Sequence, residues 1–264
     1  MRYIFCLCLL LFSCEEEKEG SFASAEIFRL APPIIQIDSL LFANSARLEA
    51  KFHMPEAIIR YTEDGSEVTA RSQPYTQPIQ VTKTSEFAFR AFHPQYQESP
   101  EIRTQLLHVK QQVSDANVAI DPAPHPNYPG QGARSLVDLQ KGTTQFRTGN
   151  KWLGFQTNKV KFLMDFKDEI PISNLILSTL NDHGSWIFIP RAIRVFSNTK
   201  QIGELLVKAP IQGAPKQMEL LDVPVVNGAY KNVEIQIDLM ETIPEWHQGK
   251  GTIPFFFIDE IVVQ

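Results

Sequence analysis

The stretch Val233-Glu234-Ile235-Gln236-Ile237-Asp238-Leu239 alternates apolar and polar residues without a break. A period of two puts four apolar side chains on one face of a strand and three polar ones on the other. The pattern recurs outward from there. Val160, Phe162 and Met164 alternate with Lys159 and Lys161, Ile193 and Val195 flank Arg194, and Phe87, Phe89 and Ala91 alternate with Ala88 and Arg90. Beyond the N-terminal segment no stretch carries a sustained helical stripe. Many short strands without intervening helices predict an all-β chain built as antiparallel sandwiches. The 18 Phe and 18 Pro against 13 Gly suit strands and loops.

Four prolines, Pro122, Pro124, Pro126 and Pro129, sit in the run from Asp121 to Gly132. Such a run forms neither a regular helix nor a central strand and favours an extended connector. The expected organisation is therefore two β-sandwich domains, 31–110 and 125–264, joined by a Pro-rich linker over 111–124.

The formal net charge is −5, with no long basic run, so nucleic acid is not an expected partner. The three cysteines are Cys6, Cys8 and Cys14. The remainder of the chain thus holds neither a disulfide framework nor a thiolate site. Residues 1–14 join Arg2 to an apolar run from Ile4 to Phe12, which is too short to span a bilayer and reads as a signal peptide. Leu11-Phe12-Ser13-Cys14 resembles a bacterial lipobox, although Phe12 is bulkier than that pattern usually has; a plain secretory signal is the alternative. The resemblance implies lipidation at Cys14. An acidic tether follows over 15–30, opened by Glu15-Glu16-Glu17-Lys18-Glu19, a run that is usually only a solvated segment. It also resembles the surface-export tag of Bacteroidetes lipoproteins, which implies display on the outer face of the outer membrane. Acyl chains contribute ~0.8 kcal/mol per buried methylene to such anchoring.

In 31–110, Ile59 and Tyr61 share one strand face, Asp64-Gly65 supplies a turn, and Phe87 to Phe92 pairs back. The stretch resembles the small Ig- or FN3-like domain at the C-terminal side of chitobiases and β-hexosaminidases. That family usually has Pro after Ser66-Glu67; here Val68 stands there. The resemblance implies a spacer, not a catalyst.

In 125–264, Tyr128-Pro129-Gly130, Ala133 to Asp138, Phe146 to Phe155, Asn181 to Pro190, Pro244 to His247 and Phe256 to Ile261 appear in order. Together they resemble the discoidin-like (F5/8 type C, CBM32-like) galactose-binding-like jelly roll, in the form attached to family 20 hexosaminidases. Jelly rolls of this kind commonly hold a structural calcium, an ion that takes six to eight oxygens. Asp138, Thr143 and Glu260 fit the family's ligand pattern, and the carbonyls of Ser135, Gln140 and Asp259 would complete it. Leu139 departs from the Gly often found after the Asp. The alternative is that Asp138 caps a turn and Glu260 is a solvated edge residue.

A sugar offers apolar C–H faces and a ring of hydroxyls, so its site combines an aromatic platform with loop polar groups. Trp186 follows Asn181-Asp182-His183-Gly184-Ser185, and Trp246 sits between Glu245 and His247. Trp186 and Trp246 are the candidate platforms, and Asn181, Asp182, His183, Glu245 and His247 the candidate hydrogen-bonding groups. Trp246 is preferred because polar residues flank it, whereas Trp186 precedes Ile187-Phe188 and can pack inward. Arg147 and Trp152, which recur in the resembling domains, are open between packing and ligand contact.

No catalytic residue is assigned. A hexosaminidase works in a (β/α)8 barrel of ~250 residues, for which the β pattern leaves no place in these 264 residues. No HExxH, P-loop or GxSxG signature occurs. The expected function is a surface-anchored, non-catalytic carbohydrate-binding lipoprotein that assists glycan capture, its partner a hexosamine- or galactose-containing glycan. The alternatives are an adhesin or protein-interaction module, and a structural subunit of a surface glycan-degrading complex.

Overall fold

A computed structural model describes residues 28–264. The signal segment 1–14, Cys14 and most of the tether lie outside the described residues. The described chain is all-β, in two sandwich domains.

The first domain has eight strands: β1 (Ile34–Ile37), β2 (Leu41–Phe42), β3 (Ala46–Lys51), β4 (Ile58–Thr62), β5 (Gln73–Pro74), β6 (Ile79–Val81), β7 (Ser85–Phe92) and β8 (Ile102–His108). One sheet runs β1-β3-β6 and the other β2-β8-β7-β4-β5. The alternation of β7 puts Phe87 and Phe89 into the core, where Tyr61 stacks on Phe89 at 5.7 Å. Gly65 has φ +71°, and the Asp64 carboxylate accepts the Ser66 N–H at 3.0 Å, so the Asp-Gly turn forms as expected. Val68 is fully buried, and its N–H donates to Glu101 at 2.8 Å. Proline has no N–H to give there, which accounts for the departure at this position.

The second domain has β9 (Asn117–Asp121), β10 (Gly130–Ala133), β11 (Leu153–Phe155), β12 (Lys159–Asn181), β13 (Ala192–Ser197), β14 (Lys200–Leu206), β15 (Gln217–Asp238) and β16 (Phe256–Val263). Strands β12 and β15 pair along almost their whole length, with register shifts between Asp165 and Ile170 and between Ile172 and Asn174. Bulges bend a strand pair. The first half of β12 bonds β9 and the second half bonds β16, so one long hairpin serves both layers. Val233, Ile235 and Ile237 face inward beside Val160, Phe162 and Met164, as the alternation predicts.

The expected linker over 111–124 differs from the structure. Residues 117–121 form β9, paired with Lys161–Asp165, and Gln111 donates to the Val263 carbonyl at 3.3 Å. The prolines come after this strand, so the break they mark lies inside the second domain. At the other end, Leu30 of the expected tether is buried and donates to the Gln97 carbonyl at 3.0 Å.

All eight residues of β16 are buried. Phe256, Ile258, Ile261 and Val263 enter the core. The other face is covered in three zones. Phe257 packs in an aromatic cluster with Phe146 and Trp152, Glu260 lies under the 138–142 loop, and Val262 meets the first domain through Leu41, Leu107 and Val109. The Gln264 side chain donates to the His108 carbonyl at 2.8 Å across the same junction.

Candidate functional site

Two loops meet at one end of the second domain, and they bring most of the candidate sugar-binding residues together. The first leaves β12 through a short 3-10 turn, His183–Ser185, and the second precedes β16. His183 stacks on Phe188 at 4.3 Å and lies 5.3 Å from Trp246; His247 lies 5.8 Å from Trp246 and 6.3 Å from Trp186. The His247 ring contacts the His183 carbonyl through Nε2 at 2.8 Å and accepts the Gly249 N–H at Nδ1.

Trp186 has φ +64°, a region that a bulky side chain rarely enters. The indole lies over Gly249, where an added Cβ would stand 2.9 Å from the ring. It stays 38% exposed. Trp246 instead packs half-buried against His183 and Phe188. Trp186 is thus the more exposed of the two tryptophans, and the polar neighbours of Trp246 do not keep its ring from packing.

The polar candidates divide by burial. Glu245 is exposed and pairs with Lys250 at 3.1 Å. Asn181, Asp182 and His183 are buried. Asp182 pairs with Lys216 at 3.0 Å. Burial pushes the Asp182 carboxyl up, but hydrogen bonds from Lys216 and Ser185 outweigh it and hold it below the usual range. Burial, and then the neighbouring His247, hold the His183 imidazole below its ordinary value, and neither ring nitrogen has a hydrogen-bond partner. His183 thus supports the rings instead of meeting solvent.

Lys216 was not legible as part of this site. The register Asn181↔Gln217 brings it beside Asp182, and nothing in the sequence around Lys216 signals that pairing. Its ammonium also lies 5.4 Å from the Phe146 ring, and the Arg147 guanidinium lies 4.6 Å over the same ring. Trp152 is buried and donates to the Thr143 carbonyl at 3.0 Å, a packing role.

The candidate ion site is a second, separate constellation. Glu260 is fully buried, which removes the solvated-edge alternative, and neither carboxylate oxygen makes a well-formed hydrogen bond, although the Leu139 N–H and the Lys141 ammonium lie near enough to favour its charged form. Burial, with Asp259 and then Asp138 adding like charge, pushes its carboxyl up to about 9. Asp138 accepts the Gln140 N–H at 2.8 Å, and Leu139 between them has φ +57°, so this loop takes the positive-φ path that a glycine would take. Asp259 is occupied differently: it pairs with Lys141 at 3.3 Å and accepts the Gly142 N–H. Ser135 accepts the Gln131 N–H through its hydroxyl, and the Thr143 hydroxyl accepts the Gln145 N–H. Among the described residues no three His, Cys, Asp or Glu side chains converge as ligands. Calcium also takes backbone carbonyls, and two orphaned oxygens on a buried acid beside a second carboxylate suit such a hard cation.

Residues 41–104 match the family model described as the chitobiase/beta-hexosaminidase C-terminal domain. No curated protein matches the chain. Among solved structures, the C-terminal domain of a chitobiase from Bacteroides fragilis is similar at 16% identity and a TM-score of 0.37, covering 58% of this chain and 95% of that one. A SusE-like protein is similar at 10% identity and a TM-score of 0.39, covering 87% and 95%. CpGH89CBM32-5 from Clostridium perfringens, solved with GalNAc-beta-1,3-galactose, is similar at 13% identity and a TM-score of 0.35, covering 58% and 96%.

Proposed function

We propose that this chain is a non-catalytic carbohydrate-binding lipoprotein, anchored through Cys14 to the outer membrane and displayed at the cell surface, that holds a hexosamine- or galactose-containing glycan. The observation that carries the reading is Trp186: a strained backbone holds a large apolar ring at the surface, backed by Gly249 and braced by His247. An exposed flat ring with carboxylate, imidazole and hydroxyl groups close by suits a pyranose, whose C–H face stacks while its hydroxyls take hydrogen bonds. His247 lies 6.3 Å from the ring, Ser185 precedes it in the chain, and the exposed Glu245 sits in the same loop as His247. In the same reading a structural calcium is held by Glu260 and Asp138 with carbonyls of the 135–140 loop, and it pins that loop to β16.

The test is glycan-array binding by the full chain, with Trp186→Ala beside it. Loss of an aromatic anchor weakens binding by roughly thirtyfold. Trp186→Ala is expected to reach that loss with an unchanged melting temperature, because the ring is partly exposed and lies on a glycine, and Trp186→Phe is expected to recover part of it. A blank array for the wild type, or equal binding by Trp186→Ala, would overturn the reading. Protein capture with a blank array would move it to the adhesin alternative, which the exposed Leu206 and Ile211 favour.

A further inference from the structure

The junction between the two domains holds a cleft of about 570 Å³. Its size and its place between domains are those of ligand sites. Leu41, Met218 and Leu220 supply apolar lining. Arg103 and Gln105 come from the first domain, and Thr144, Lys216 and Gln217 from the second. Apolar surface among hydrogen-bonding side chains suits the same two-sided chemistry as a sugar ring.

The cleft is preformed. The apolar contact of Leu41, Leu107 and Val109 with Ile176 and Val262 holds the domains together, and the Gln264 bond to His108 fixes their register. One lining residue, Lys216, pairs with Asp182, which precedes Trp186 by four residues in the chain. The charges of the cleft decide the ligand. Arg103 pairs with Glu101 at 2.6 Å and Glu86 at 3.3 Å, Lys141 with Asp259, and Lys216 with Asp182. Every cation of the lining has a carboxylate beside it, so the cleft offers hydrogen bonds without an unpaired charge.

Resting on the glycan-binding reading, we infer that this interdomain cleft is a second stretch of the binding site, which takes the following units of a neutral oligosaccharide whose first unit stacks on Trp186. The first domain is then part of the binding surface and not only a spacer. Affinity grows with chain length, and a residue of the first domain controls that growth.

The experiment is calorimetric titration of the full chain with neutral chito-oligosaccharides and galacto-oligosaccharides of one to six units, at low and high salt, with a chondroitin sulfate hexasaccharide as the charged probe. For one neutral series the hexasaccharide is expected to bind at least tenfold more tightly than the monosaccharide, with little dependence on salt. Arg103→Ala combined with Gln105→Ala is expected to remove most of that gain while the monosaccharide affinity, which reads the indole alone, is kept. Thr144→Ala on the opposite wall gives the same result by a route that leaves the first domain intact. Equal affinity for short and long chains, or a length gain that all these variants retain, would overturn the inference and leave the glycan-binding reading standing. Tighter, salt-sensitive binding of the chondroitin sulfate probe would overturn the assignment to a neutral chain. Binding of no saccharide in any series would remove the glycan-binding reading itself, and the inference with it.

Discussion

Replacing Phe257 by Ala is expected to cost the second domain about 3–5 kcal/mol, the range for truncating a fully buried aromatic ring. Phe257 has no exposed surface and lies 4.7 Å from Tyr128, 5.1 Å from Phe146 and 5.9 Å from Phe255, ring centre to ring centre. The neighbours cannot close the gap easily. Gly154 already approaches so tightly that an added Cβ would stand 2.7 Å from the Phe257 ring, and Leu180 and Ile187 of the same cluster are fixed by backbone bonds on other elements. The cavity therefore persists, and its cost adds to the lost transfer energy. The same ring supports Phe146 and the loop from Lys141 to Trp152, which forms one wall of the interdomain cleft, so oligosaccharide affinity is expected to fall with stability. Urea unfolding of wild type and variant measures the first effect. A cost below about 1.5 kcal/mol, the level of a well-tolerated core exchange, would show that the cluster collapses onto the vacated space.

This cluster also shows where the sequence was readable. The alternation around Val233 and Val160 is a local property of each strand, so the buried faces of β12 and β15 could be read directly. The turn at Asp64-Gly65 was equally local. Strand β9 was missed because four prolines directly downstream of Val118 and Ile120 dominate the reading of that region, although the alternation in Asn117–Asp121 is present. Strand β16 gave no alternation to read. Its outer face is covered by an aromatic loop, by the 138–142 loop and by the other domain, and none of these covers is encoded within the strand. The candidate site divides in the same way. That Trp186, His183, Trp246 and His247 share one end follows from their positions in loops that flank adjacent strands. Which indole is the more exposed depends on how the two loops pack, and which cation meets Asp182 depends on the register Asn181↔Gln217. Both are tertiary facts, without a signal in the residue types themselves.

Glu260 separates the two states of the proposed ion site most sharply. Without a cation it is a buried acid with two orphaned oxygens beside Asp259 and Asp138, an arrangement that burial and like charge both disfavour in its ionised form. Glu260→Gln is then expected to leave the calcium-free protein as stable at neutral pH as wild type or more stable, because the raised carboxyl must take up a proton on folding and the amide need not. With calcium the order reverses. A ligand at hundredfold excess over its dissociation constant stabilises the folded state by about 2.7 kcal/mol. At ~2–4 °C per kcal/mol for a chain of this size, that raises the melting temperature of wild type by about 5–10 °C. Glu260→Gln, with one neutral oxygen in place of a carboxylate, is expected to lose most of that shift, and Asp138→Asn part of it. The readout is thermal unfolding of all three proteins in EDTA and then in excess calcium, with magnesium as the control, since magnesium demands a tighter octahedral shell than loop carbonyls supply. Equal melting temperatures of wild type with and without calcium would leave Glu260 as a buried acid under the loop, with Lys141 and Asp259 alone tying that loop to β16.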